Sequence, residues 1–109
     1  MLFPKPSENA FKHLAETDPD SLERWILSDK LSIAHLSFAV EALGKVPGNK
    51  FINTLISLLI NSHPIVREGI VYALSYHLDN KNAIEQLRLI SRHDTNKNVR
   101  KAALEILEE

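Results

Sequence analysis

Apolar residues along this chain recur at intervals of three and four, not two, and the pattern falls into seven stretches. Phe11, Leu14 and Ala15 form the first, and Leu22, Trp25 and Ile26 the second. Ile52, Leu55, Ile56 and Leu59 share one side of a later stretch, as do Val66, Ile70, Ala73, Leu74 and His77. Ile84, Leu87 and Ile90, then Val99, Ala103 and Leu107, close the series. This periodicity predicts amphipathic helices, each hiding one face. Capping residues set their starts. Ser7 caps a helix to about Glu16, and Asp18 followed by Pro19 opens one ending near Asp29. A third runs from about Leu31 to Leu43, with Gly44 as its C-cap. Asn49 caps a fourth through Ile60, and Pro64 opens the fifth, with His63 at the cap before it. Asn80 or Asn82 begins a helix to about Arg92, and Asn96 the last. Strand signals are lacking: there is no Asn-Gly or Asp-Gly turn and no sustained alternation. The expected class is all-α.

The helices also repeat. Ile65-Val66-Arg67-Glu68-Gly69-Ile70-Val71-Tyr72-Ala73-Leu74 aligns with Asn98-Val99-Arg100-Lys101-Ala102-Ala103-Leu104-Glu105-Ile106-Leu107, 33 residues later. A third copy lies within His35 to Gly44, offset by 31 residues from the middle one, so that His35 falls where Val66 does. A period of this size marks a solenoid of helical hairpins. The Val-Arg, Ala and Leu-Gly positions resemble the second helix of HEAT repeats, over roughly Asp18 to the C-terminus. The resemblance implies an α-solenoid: a right-handed superhelix of about three hairpins, preceded by an N-terminal helix that shields the open end, with residues 1–109 forming one domain. It also implies a polar ladder, because HEAT units commonly carry an Asp six residues before the Arg of the second helix. Asp94 precedes Arg100, and Asn61 precedes Arg67, by that interval. The first copy departs, with Lys30 and Leu36 at the paired positions and His35 in place of valine.

Composition narrows the function classes. Net charge is −1, so bulk attraction to nucleic acid or an anionic membrane is not expected. With no cysteine, disulfides, thiolate metal sites and cysteine nucleophiles are ruled out, and a reducing, cytoplasmic setting fits. No apolar stretch follows the first residues as a signal peptide requires. The run Phe51 to Ile60 is well short of the ~20 residues that span a bilayer. The five histidines include no pair three or four apart, so no metal or cofactor is expected. No phosphate loop, nucleophile elbow or paired carboxylates point to catalysis.

Binding residues are the better candidates. Tyr72 and Tyr76, four apart beside Glu68, lie off the apolar stripe. They either form a partner-binding surface or pack against neighbouring helices. In a HEAT-like stack the second helices line the concave face, where the equivalent outward positions are Ser37, Glu41 and Lys45, then Lys101, Glu105 and Glu108. Arg88, Arg92 and Lys97 form a weaker basic patch, which reads more readily as a solvated face. Arg67 and Arg100, with Asn61 and Asp94, read better as structural partners than as ligand-binding groups. The expected function is a non-enzymatic protein-interaction module, monomeric or weakly dimeric. Two rivals are a dedicated inhibitor such as a toxin-immunity protein, and an enzyme accessory like the HEAT-like bilin lyases or DNA-repair glycosylases; the near-neutral charge counts against a duplex.

Overall fold

The computed structural model describes residues 3–60 and 62–109. Its regular elements are all helical: α1 (Glu8–Thr17), α2 (Pro19–Leu27), α3 (Ile33–Gly44), α4 (Ile52–Ser57), α5 (Pro64–Leu74), α6 (Lys81–His93) and α7 (Lys97–Glu108), with a 3₁₀ turn, Ser75–His77, after α5. Side-chain caps fix most starts. Ser7 accepts from the Ala10 amide, Asp18 from Ser21, Asn80 from Ala83, and Asn96 from Asn98 and Val99. The His63 ring accepts from the Ile65 amide ahead of Pro64. Each supplies a partner to an amide that has none inside its helix.

Three expected helix bounds need correction. The third helix starts two residues late, because Ser32 caps it through the His35 amide. The second ends at Leu27, where Asp29 takes a left-handed conformation (φ 62°). The fourth spans only Ile52–Ser57, with Phe51 and not Asn49 at its cap position. Asn53 and Ser57 are exposed, and the Ser57 hydroxyl donates to the Thr54 carbonyl, a bond that competes with helix continuation.

The helices make two layers. α1, α3, α5 and α7 lie side by side in chain order, and α2, α4 and α6 pack behind them. The hairpins are therefore α2–α3, α4–α5 and α6–α7, with α1 laid along α3 ahead of the first. The stack is elongated, 39 × 26 × 20 Å. Between the layers run Leu22, Trp25, Leu43, Leu55, Ile70, Leu74, Leu87 and Val99, all buried. Each such side chain contributes on the order of 1.5–3 kcal/mol by leaving water. At the α1 end Phe11 meets Trp25 edge-on at 5.0 Å and Phe3 stacks on it at 5.3 Å. None of the described helices is long and apolar enough to cross a membrane.

Gly44 does not cap α3 in the left-handed conformation; the positive-φ glycine is Gly48, in the following loop. Gly44 is the last residue of α3, and a Cβ there would overlap Cα and Cβ of Ala73 on α5. Gly69 makes the reciprocal approach: its Cβ would stand 2.8 Å from the Ser37 carbonyl oxygen. Two missing side chains thus let α3 and α5 approach closely, and theirs is the most extensive helix–helix packing among the described residues. Buried His77 locks this junction by reaching the Gly44 carbonyl at 2.7 Å. A carbonyl only accepts, so His77 Nε2 carries the proton.

Candidate partner-binding face

The outer surface of the α1–α3–α5–α7 layer carries most of the predicted contact residues. On α5, Glu68 and Tyr72 are one turn apart, and the Tyr72 hydroxyl donates to Glu68 Oε1 at 3.3 Å. Tyr72 keeps 39% of its surface exposed, and Tyr76, on the 3₁₀ turn, 51%. The amine of Lys45 stands 5.9 Å from the Tyr76 ring centroid, so the end of α3 is next to this tyrosine. Glu41 on α3 and Glu105 on α7 hold the positions equivalent to Tyr72 in their repeats. The three residues form a row across the stack. Partial burial, then the Glu68 charge and hydrogen bond, then Glu105 and Glu41, all raise the Tyr72 pKa above its ordinary value. The phenol therefore stays a neutral donor in an acidic setting.

Beside this row lies a groove of about 540 Å³ between α1 and α3, lined by Ala15, Phe38, Glu41, Ala42, Lys45 and Val46 among others. Phe38, 45% exposed, is the residue that sequence reasoning missed. Ser37 was expected to point outward; instead its hydroxyl donates to the Ile65 carbonyl at 3.2 Å, across the α3–α5 junction. The 31-residue spacing holds a usable signal, because Phe38 occupies on α3 the position Gly69 holds on α5. Glycine there lets α5 close onto α3, whereas on α3 the position carries Phe38, which lines the groove beside α1. Lys101 and Glu105 are exposed on α7, 3.9 Å apart.

The basic residues divide. Arg88 and Arg92 line a shallow depression of about 560 Å³ with Lys81, Glu85, Ile84 and Leu89. Lys97 begins α7 and does not line it.

The ladder residues occupy the hairpin turns. Arg67 donates from Nε and from an η nitrogen to the Asp94 carboxylate, at 2.9 and 3.0 Å, and from its other η nitrogen to the Ser62 carbonyl at 2.7 Å. Arg100 donates to the Asp94 main-chain carbonyl at 2.6 Å. The Asp94 carboxylate is thus gripped by the arginine of the preceding repeat. Asn61 lies outside the described residues. Burial raises the pKa of Asp94, but the Arg67 hydrogen bonds, the Asn96 amide and the two arginine charges outweigh it and hold the carboxyl below its usual value. Hairpins stacked at a 31- to 33-residue period and joined by this Val-Arg turn chemistry agree with a family model of HEAT repeats, which matches residues 21–108.

The chain belongs to the HEAT-repeat family. HEAT repeats generally serve as protein-interaction scaffolds and are typically not enzymes. Comparison with curated proteins and with solved structures returns no match.

Proposed function

We propose that this HEAT protein is a non-enzymatic module that binds a protein partner along the second-helix face, the concave side of the stack. The observation that carries the reading is the series of exposed aromatic rings, Phe38, Tyr72 and Tyr76, running from the α1–α3 groove onto α5. Aromatic side chains offer large contact area for little lost rotamer entropy, and they dominate binding energy where they become desolvated. Glu41, Glu68, Lys45, Lys101 and Glu105 surround the rings and supply a polar rim. Residues 1–109 act in this reading as one unit, because α1 forms a wall of the groove.

Affinity capture from the native source tests it, comparing the natural chain with Phe38→Ala/Tyr72→Ala and with Leu89→Ser on the opposite layer. The expected result is a partner retained by the natural chain and by Leu89→Ser but lost from the double variant, with helicity unchanged in all three. A partner that follows Leu89 and ignores Phe38 and Tyr72 would transfer the site to α6.

A further inference from the structure

Three second helices present equivalent edges toward the next repeat, and the last edge differs in kind. On α3 that edge is Ile33, Ser37, Val40 and Gly44; on α5 it is Pro64, Glu68, Val71 and Ser75; on α7 it is Lys97, Lys101, Leu104 and Glu108. The positions are spaced as one helix face. Val40 is fully buried and meets the Gly69 position of α5, and Val71 is fully buried as well. Leu104, their equivalent, is 47% exposed, and among the described residues no helix lies over it. The small residues that allow close backbone approach on α3, Ser37 and Gly44, are replaced on α7 by Lys101 and Glu108. On α5 the same positions hold Glu68 and Ser75, and α7 packs there less extensively than α5 does on α3. The α7 edge suits a contact of that wider kind, with charges at its margin.

The arrangement of those charges selects the occupant. Both lysines precede Leu104, and Glu108 follows it. Lys101 is three residues before the leucine and Glu108 four after. A second α7 laid antiparallel across the first at Leu104 therefore places each Lys101 opposite the other copy's Glu108. It also opposes the two helix dipoles favourably. We propose that two copies of this chain associate through α7 about a two-fold axis, Leu104 against Leu104, flanked by reciprocal Lys101–Glu108 pairs. A two-fold contact must be self-complementary, and this edge meets that requirement. One helix face buries less than the ~800 Å² per partner of standard interfaces, so the dimer is weak and reversible. Lys101 also stands 3.9 Å from Glu105 of its own helix; both are exposed, and that pair does not hold Lys101 back from the partner.

Sedimentation of the full chain from low micromolar to millimolar concentration, at low salt, tests the proposal. The expected result is a monomer–dimer equilibrium whose dissociation constant rises at least about tenfold in Leu104→Glu. Lys101→Glu and Glu108→Lys each weaken self-association, while an equimolar mixture of the two forms a heterodimer tighter than either alone, because both cross-pairs are then opposite in charge. Tyr72→Ala leaves the equilibrium unchanged. All the altered positions are exposed, and circular dichroism checks that helicity is kept. A chain that stays monomeric throughout, a dimer indifferent to Leu104→Glu, or a mixture no tighter than its parents overturns the proposal.

Discussion

The junction between the first and second hairpins and the junction between the second and third join equivalent helices in the same stack, yet different physics holds each. At the first, α3 and α5 touch backbone to backbone: Gly44 against Ala73, Gly69 against Ser37, with hydrogen bonds from Ser37 to the Ile65 carbonyl and from His77 to the Gly44 carbonyl. Leu36 stands where the ladder would need an arginine, and it lines a small cavity with Leu27 and Leu58 between the two turns. At the second, α5 packs on α7 with Val71, Ala102 and Ala103 all buried, while Arg67 binds Asp94 with side chains only 15% and 8% exposed. Close packing is insensitive to pH and intolerant of volume. A desolvated ion pair tolerates volume better but depends on charge. A repeat protein can therefore keep one period while changing its adhesive from joint to joint, since each repeat contacts chiefly its neighbours.

The sharpest way to break this contrast is at Gly44. Gly44→Val places a branched side chain into the backbone of α5, and no flexible neighbour can move aside. The expected loss is at least about 3 kcal/mol, at the upper end for overpacked sites, despite the better helix propensity of valine. Gly69→Ala is milder, because one of its three close contacts is the Ser37 hydroxyl and another a Val40 methyl; about 1–2 kcal/mol is expected. Denaturant titration measures both. If Gly44→Val unfolded at the same midpoint as the natural chain, the close-approach account of this junction would be wrong.

Next in size is Asp94. Asp94→Ala leaves Arg67 desolvated without its carboxylate and is expected to cost about 3 kcal/mol. Its signature is the pH dependence. The folded-state pKa lies below the unfolded one, so the unfolded chain binds the proton more readily. The stabilisation is thus complete above the ordinary aspartate pKa of about 3.9 and disappears as pH falls through the folded value. Asp94→Asn should flatten that acid limb, whereas Gly69→Ala should shift the whole profile downward without changing its slope. Equal acid slopes in Asp94→Asn and the natural chain would remove the ion pair from the account of the second junction.

What could be read beforehand was local. Ser7, Asp18, Asn80 and Asn96 cap their helices by rules that involve only the next three residues, and the apolar stripes depend only on helical period. What could not be read depends on residues about 30 positions away. A glycine at the end of a helix suits a left-handed cap and a close crossing equally, and only Ala73 decides for Gly44. Arg67 carries the turn spacing that links it to Asn61, but its carboxylate partner is 27 residues on, in the next turn. Phe38 sits beside the buried Ala39 and Val40, and its exposure follows from how α1 lies on α3. The row of outward positions on the second helices was thus legible in the sequence, the groove beside it only from tertiary packing.

The smallest effect sharpens the comparison most, because it separates two roles that one residue combines. Ser37 faces Gly69 and its hydroxyl donates to the Ile65 carbonyl. If the hydrogen bond matters, Ser37→Ala costs about 0.5–1.5 kcal/mol, the usual net worth of such a bond. If only small size matters, alanine is neutral or slightly favourable, since it is the better helix former. The length of this bond, 3.2 Å, and the partial exposure of Ser37 place the expected loss at the low end, about 0.5 kcal/mol. A double-mutant cycle with Gly69→Ala then asks whether the two changes couple. Positive coupling means that removing the hydroxyl relieves the crowding a new Cβ at position 69 creates, and it would mark this junction as limited by volume. Strict additivity would instead put the cost of Gly69→Ala on the rigid Ser37 carbonyl, a contact that no side-chain change at position 37 can relieve.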